Sequence, residues 1–251
     1  MKARTIIIFI AVFLLIAGTT LCVVGLSMVE FNIHKIGMYS ERISKEYNIS
    51  AAEIHKISVS MNNEEIVLKN SADEKIYINY FESDREKFEI ENKNGTLSVS
   101  LTNDFKWYEY LLSFNIKPEV VEISVPTDFD GDIVLKTSNG EITLKNISAK
   151  GDISVVISNG RITADDISCE NLSLTTSNGS IRISAVIAEY KIYMKTSNGS
   201  IKGDIAGDKN DFTIKSRTSN GRNNLPKNQT GGDKMLEVYT SNGSIDIVFG
   251  Q

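Results

Sequence analysis

The sequence is poor in the residues that most often carry chemistry. Two histidines, His34 and His55, and two cysteines, Cys22 and Cys169, are all it holds. Cys22 falls inside a long apolar run, which leaves Cys169 alone in the remainder. No intramolecular disulfide can form there, and stability must come from packing and backbone pairing. A Ser-His-Asp or Cys-His arrangement would need a histidine set against a nucleophile. Both histidines stand near the N-terminal run, and Cys169 takes an inward place in the pattern described below. There is no two-His zinc motif, no Cys-x-x-Cys and no phosphate-cradling glycine loop. No catalytic residue, metal or cofactor is expected. Positive charge is also short: 27 basic residues face 32 acidic ones, a formal charge of −5, and setting aside Lys2 and Arg4 takes the remainder to −7. Such a balance argues against nucleic acid as a partner.

What the sequence does have begins with residues 5–29, TIIIFIAVFLLIAGTTLCVVGLSMV, an uncharged run of 25. Roughly 20 apolar residues span a bilayer as a helix. Lys2 and Arg4 precede the run and Glu30 follows it. The bias of positive charge toward the cytoplasm then predicts a cytoplasmic tail at 1–4, a single transmembrane anchor at 5–29, and an extracytoplasmic remainder. A cleaved signal has an apolar core of about 7–15 residues and a small-x-small site. This run is longer, and its best such site, Ala17-Gly18-Thr19, lies within it, so an anchor left in place is the favoured reading. Leu21 before Cys22 is bulky where lipidation wants a small residue. Residues 30–52, polar with scattered apolar positions, are expected to form a juxtamembrane stalk, partly helical.

The second feature is a repeat. TSNGSI occurs at 176–181, 196–201 and 240–245, with TSNGEI at 137–142, ISNGRI at 157–162 and TSNGRN at 218–223. The glycines Gly140, Gly160, Gly179, Gly199, Gly221 and Gly243 are spaced 20, 19, 20, 22 and 22. A near-constant period of about 20 predicts a solenoid. Seven and five residues before the glycine stand Ile133 and Leu135, Ile153 and Val155, Leu172 and Leu174, Ile192 and Met194, Leu236 and Val238. Two after it stand Ile142, Ile162, Ile181 and Ile245. Each flank is a strand with one apolar face, yet the apolar parity flips across Ser-Asn-Gly, so the chain must turn there. Asn and Gly tolerate the positive φ that a sharp corner uses. A second parity break follows, with Ile147 and Ala149, then Ile167 and Cys169, on the new frame. Each coil therefore has about three short sides around an apolar axis. The fold class is all-β, a β-solenoid over 131–251 behind an N-terminal transmembrane helix. Stacked coils would align Asn139, Asn159, Asn178, Asn198, Asn220 and Asn242 into a ladder of amides, each bonded to the next. In the fifth coil Ser216 and Asn223 replace apolar residues and 222–234 is a polar loop, so that coil is expected to be an imperfect, mobile member of the stack.

Within residues 53–130, positions 53–126 alternate as strands do, for example Ile57, Val59, Met61 and Leu97, Val99, Leu101, with turns at Asn62-Asn63 and Asn94-Gly95. They are expected to form irregular coils and the cap that a solenoid needs. Between 104 and 114 lies an aromatic cluster with Trp107, Tyr108 and Tyr110. It is read first as a buried cap hairpin and second as an exposed contact surface. Asp128-Phe129-Asp130-Gly131-Asp132 resembles the start of a calcium loop, but its glycine is fourth rather than sixth, so an acidic turn is expected.

The opening IHKISVSMNNEEIVLKNSADEKIYINYFES, the later NKNGTLSVSL and VEISVP, and the serial LKTSNGEITLKN coils resemble a family of bacterial envelope proteins known as adhesin-like domains of unknown function. The likeness covers roughly residues 53–249. It implies a β-solenoid, an envelope setting with suspected roles in surface interaction or envelope stress, and no catalytic residues to carry over.

Any ligand is expected at outward positions. The row four before each glycine reads Lys136, Val156, Thr175, Lys195, Arg217, Tyr239, and the row three after it reads Thr143, Thr163, Arg182, Lys202, Asn224, Asp246. Neither has the close acidic pair that glycoside hydrolysis normally needs. Lys136, Arg182, Lys195, Lys202 and Arg217 form a candidate stripe for an anionic envelope polymer, against the plainer reading of a solvated face. The functional expectation is a membrane-anchored, non-catalytic binding or scaffold module of a bacterial envelope. Its rivals are an enzyme acting on surface polysaccharide and a signalling accessory that works on a membrane-protein partner.

Overall fold

Alternation of apolar and polar residues over most of the chain builds strands, and the run without alternation builds a helix. The structure, a computed structural model, describes residues 2–28, 42–83, 86–103 and 119–250. Two units divide the chain, with the helix in one and the strands in the other.

Helix α1 (Lys2–Met28) contains Thr5–Ser27, a stretch of 23 residues with mean hydropathy 2.9. At 1.5 Å per residue this covers about 35 Å, enough for a hydrocarbon core of about 30 Å. Its few hydroxyls are turned back onto the helix: Thr19 Oγ1 donates to the Leu15 carbonyl at 3.0 Å, Thr20 Oγ1 to Ile16 at 2.8 Å and Ser27 Oγ to Val24 at 2.8 Å. Each is thereby satisfied without water.

The sheet is built from β1 (Ile43–Ser50), β2 (Lys56–Met61), β3 (Glu65–Asn70), β4 (Lys75–Glu82), β5 (Glu86–Lys93), β6 (Thr96–Asn103) and β7 (Val120–Val125). The repeats follow as β8 (Asp132–Asn139), β9 (Ile142–Ser148), β10 (Ile153–Asn159), β11 (Ile162–Asn178), β12 (Ile181–Lys195), β13 (Ile201–Ile205), β14 (Phe212–Asn220), β15 (Asn228–Gln229), β16 (Lys234–Asn242) and β17 (Ile245–Phe249). Parallel pairing in register joins successive coils, with Leu135 beside Val155 and Val155 beside Leu174. Three sides wind about an apolar axis. In one coil Ile153, Val155 and Ile157, then Ile162 and Ala164, then Ile167 and Cys169 all point inward and are buried. β11 and β12 are long because each runs on from the second side of one coil to the first side of the next.

The chain turns at Ser-Asn-Gly between the first and second sides, but a positive φ accounts for only three of the six glycines. Gly140, Gly160 and Gly221 have φ of 143°, 157° and 157°, whereas Gly179, Gly199 and Gly243 do not lie in the left-handed range. All six share a steric demand, mildest at Gly140, whose Cβ would lie 2.7 Å from the Glu64 carbonyl oxygen. A Cβ at Gly160 would lie 1.6 Å from the Gly140 carbonyl oxygen, one at Gly179 1.8 Å from that of Gly160, and one at Gly199 1.9 Å from that of Gly179. Glycine is required because the corners of adjacent coils touch backbone to backbone. The corner's polar groups are satisfied between coils. The Gly179 N–H donates to the Asn198 carbonyl at 3.0 Å, and the inward Thr196 hydroxyl donates to the Gly179 carbonyl at 2.8 Å. Thr176, Thr240 and Thr218 do likewise for Gly160, Gly199 and Gly243.

The order of the coils also departs from chain order. Asn242 Nδ2 donates to Asn198 Oδ1 at 2.8 Å, and Asn220 Nδ2 donates to Asn242 Oδ1 at 2.7 Å. β16 thus lies between β12 and β14. The amide ladder runs Asn63, Asn139, Asn159, Asn178, Asn198, Asn242, Asn220, and it includes Asn63, which the sequence placed only in a turn. The fifth coil is therefore no defect within the stack but its end. Its polar substitutions serve an edge on which no further coil sits: Ser216 Oγ donates to the Pro226 carbonyl at 2.7 Å and accepts from Asn223 Nδ2 at 2.8 Å. Leu225 folds inward, 6% exposed, and closes the apolar axis.

The other end mirrors this detour. β2 and β3 stack on β8 and β9, while β6 and β7, later in the chain, stack on the far side of β2 and β3. Antiparallel strands then end the parallel stack, β4 on β7, β1 on β4, and β5 on β6 through the Asn94-Gly95 turn. β1 takes up residues within the segment expected to be a partly helical stalk, because Ile49 and Tyr47 pack against the core. Glu82 fastens this cap: its carboxylate accepts from Lys45 Nζ at 2.5 Å and from the Phe88 N–H at 2.8 Å. Burial pushes its pKa up, but Lys45, the Phe88 N–H and Lys87 outweigh that and hold it below the usual carboxylate range.

Candidate binding face

Because outward positions alternate with core positions, each side of the solenoid carries rows of exposed residues at the spacing of the strands. The structure splits the five candidate cations between two sides. Lys136, Lys195 and Arg217 stand on the first side, before the corner, and Arg182 and Lys202 on the second, after it. Arg182 and Lys202 are direct neighbours. Lys136 stands apart from Lys195, with Val156 and Thr175 between them. Lys195 and Arg217 flank Tyr239, since the inserted β16 sets that ring between them. Trp107, Tyr108 and Tyr110 lie outside the described residues.

The first side changes character along its length. Toward the N-terminal end one outward row reads Ser58, Val134, Ser154, Ser173 and the next reads Ser60, Lys136, Val156, Thr175, small but for Lys136. Over β12, β16 and β14 they become large. One row reads Tyr193, Glu237, Lys215 and the next reads Lys195, Tyr239, Arg217, with Lys191 beside the first. The Tyr193 and Tyr239 rings are 6.2 Å apart at 56° to each other. Lys191 Nζ lies 5.5 Å from the centre of the Tyr193 ring and 2.6 Å from the Glu237 carboxylate, to which Lys215 also lies at 3.9 Å. Burial, with the Glu237 charge, raises the Tyr239 pKa and keeps its phenol protonated. Lys195 and Arg217 are exposed and form no ion pair among the described residues. The sequence reading passed over Tyr193, Lys191, Lys215 and Glu237. The signal was there, six residues before each corner, where serine gives way to tyrosine, glutamate and lysine.

On the second side a concavity of about 350 Å³ lies beside Lys202, Arg222, Asn224 and Asp246. Asn224 fills a structural role there, donating to the Ile247 carbonyl at 2.8 Å and accepting from its N–H at 3.0 Å, so that one amide stands in for the next strand. The acidic turn before the first repeat is tied into the stack, with Phe129 buried and Asp132 Oδ1 accepting from the Asp152 N–H at 3.1 Å. Among the described residues no group of three or more His, Cys, Asp or Glu could hold a metal. Cys169 is 5% exposed, and burial, with the Asp152 charge, pushes its thiol up to about 12, far from the range of a nucleophile.

Residues 54–251 match the family model described as Toastrack DUF4097. The chain belongs to that family. Three solved structures resemble this Toastrack chain. One is a candidate cell adhesion protein from Clostridium sporogenes, 13% identical, covering 83% of this chain and 100% of its own, with a TM-score of 0.48. Another is a candidate adhesin from Bacteroides fragilis, 14% identical, covering 84% and 99%, with a TM-score of 0.38. The third is a candidate lipid-binding protein from Parabacteroides distasonis, 14% identical, covering 82% and 96%, with a TM-score of 0.27. No curated protein matches the chain. The Toastrack family fixes the architecture, and the ligand must be argued from the outward face.

Proposed function

We propose that this Toastrack chain is a membrane-anchored, extracytoplasmic module of a bacterial cell envelope that binds or scaffolds and does not catalyse. Helix α1 is its anchor. In support, Thr5–Ser27 is long and apolar enough to span a bilayer, and Lys2 and Arg4 before it favour a cytoplasmic start. The solenoid then stands outside, residues 53–130 serving as irregular coils and cap and 131–251 as the regular stack. The observation that carries the binding role is the pair of exposed, unneutralised cations Lys195 and Arg217 fixed on a rigid sheet face of a chain whose formal charge is −5. Its ligand is an anionic envelope polymer, held by this pair together with Lys136, Arg182 and Lys202. Exposed ion pairs contribute roughly 0–1 kcal/mol each, so several must act together and the binding must weaken with salt.

The test follows the full-length chain in cells. Protease added to intact protoplasts should remove a C-terminal tag and leave a membrane fragment carrying α1. The detergent-solubilised full-length chain should be retained on isolated cell walls at low salt and released at high salt. Changing all five cations to serine should abolish retention. A protected tag defeats the topology, and unchanged retention of the five-fold variant defeats the polymer.

A further inference from the structure

The insertion of β16 does more than close the stack. Were the coils in chain order, Arg217 would abut Lys195 and Tyr239 would stand at the end of the row. In the observed order a tyrosine ring separates the two cations, and a second ring, Tyr193, leans against the first. From these neighbours we infer that the outward face of β12, β16 and β14 is a subsite for an acidic sugar polymer. The C–H face of a sugar ring rests on Tyr193 and Tyr239, and its anionic groups meet Lys195 and Arg217.

Several features of the face choose this ligand. Lys195 and Arg217 are two strand spacings apart, about 10 Å, so they meet charges on one ligand at separated points rather than a single ion. The two rings are half-buried and held by the strands beneath them, so they offer apolar area with little conformational freedom to lose. Glu237 is neutralised by Lys191 and Lys215, and it is the one carboxylate in the paired rows that hold Lys191, Lys195, Lys215 and Arg217. The patch is therefore positive on a chain that is negative as a whole, the complementarity an acidic polymer requires. A polyanion without rings would use the cations and leave the tyrosines idle. This inference rests on the reading of the chain as a polymer-binding module, and it specifies the place and the sugar ring.

The experiment uses the detergent-solubilised full-length chain and two probes, polygalacturonate, which has rings and carboxylates, and poly(glycerol phosphate), which has charge without rings. Polygalacturonate should bind the more tightly. Its affinity should fall by about tenfold or more in the double variant Tyr193→Ser with Tyr239→Ser, and by a similar factor in Lys195→Ser with Arg217→Ser. Val156→Thr, on the same face two coils from Lys195, should bind as the unaltered chain does. Poly(glycerol phosphate) should respond to the cation variant and ignore the tyrosine variant. Should a variant fold poorly, mass-spectrometric footprinting of the unaltered chain supplies the same answer, with Tyr193 and Tyr239 protected by polygalacturonate. Equal affinity for the two probes, an unaffected tyrosine variant, or unprotected tyrosines would overturn the subsite. A chain that holds to whole cell walls but to neither probe defeats the subsite alone, and one that holds to nothing defeats the polymer-binding role with it.

Discussion

The two kinds of corner in each coil solve the same geometric problem in different ways. At the first corner Ser-Asn-Gly recurs nearly unchanged, and adjacent glycines approach so closely that a methyl group on any of five would lie within 2.0 Å of a carbonyl oxygen. At the second corner the column reads Asn146, Asp166 and Ala185, three different residues, each in the left-handed region with φ of 53°, 55° and 48°. The first is constrained by the coil beneath it and the second by its own torsion angle. Contact between coils tolerates one residue type. A torsional demand tolerates several, at a cost of roughly 1–2 kcal/mol for those with a Cβ.

Four substitutions test that difference. The largest effect is expected from Gly199→Ala, whose Cβ would meet the Gly179 carbonyl oxygen at 1.9 Å inside the stack. Forcing the coils apart should cost about 3 kcal/mol, read as a drop in the urea midpoint. Gly221→Ala, in the end coil, should cost less because that corner has room to move outward. Equal losses would mean that contact between coils is not the constraint. A middle effect is expected from Thr196→Val, which deprives the Gly179 carbonyl of its 2.8 Å donor without changing shape. About 1–2 kcal/mol should be lost, and a neutral result would show that water reaches the corner. The smallest effect has the opposite sign. Ala185→Gly relieves a left-handed φ of 48° and should raise stability by about 0.5–1 kcal/mol. Destabilisation there would show that the Ala185 methyl group packs favourably and that torsion is not what limits the second corner.

Much of the fold could be read directly from residues. The parity flip across Ser-Asn-Gly located the corners, the second flip at Ile147 located the third side, and the inward positions are buried as expected. The order of the coils could not be read, for a physical reason. The repeats present nearly the same frame of apolar residues and asparagine, with threonine before all the corners but the one at Ile157, so several orders of stacking satisfy the pattern. The order is decided by the ends, where Ser216, Asn223 and Leu225 suit an edge and not an interior. The candidate site inherited that blindness. Lys195, Tyr239 and Arg217 fall in one outward row of the sequence pattern, but which of them are neighbours depends on which coil lies on which. Asn63 was missed in the ladder because Glu64 follows it instead of glycine. That departure is supported by the Glu64 carboxylate, which accepts from the Asn62 and Asn63 N–H groups at 3.0 and 2.9 Å.

The placement of β16 has a consequence for how the molecule is made. A chain that leaves the ribosome or crosses a membrane from its N-terminus presents β14 to the growing stack before β16 exists. β14 shares the Thr-Ser-Asn-Gly corner and an inward aliphatic residue with β16, Ile214 beside Leu236, although Ser216 stands beside Val238, so it can dock on β12 in register and cover most of the same apolar edge. That premature arrangement must be undone, or avoided by delay, before residues 234–249 can take their place. The last coil thus acts as a proof of completeness: only a chain delivered in full can displace its own shortcut. A kinetic trap of this kind is written into any solenoid whose repeats are alike and whose stacking order departs from chain order.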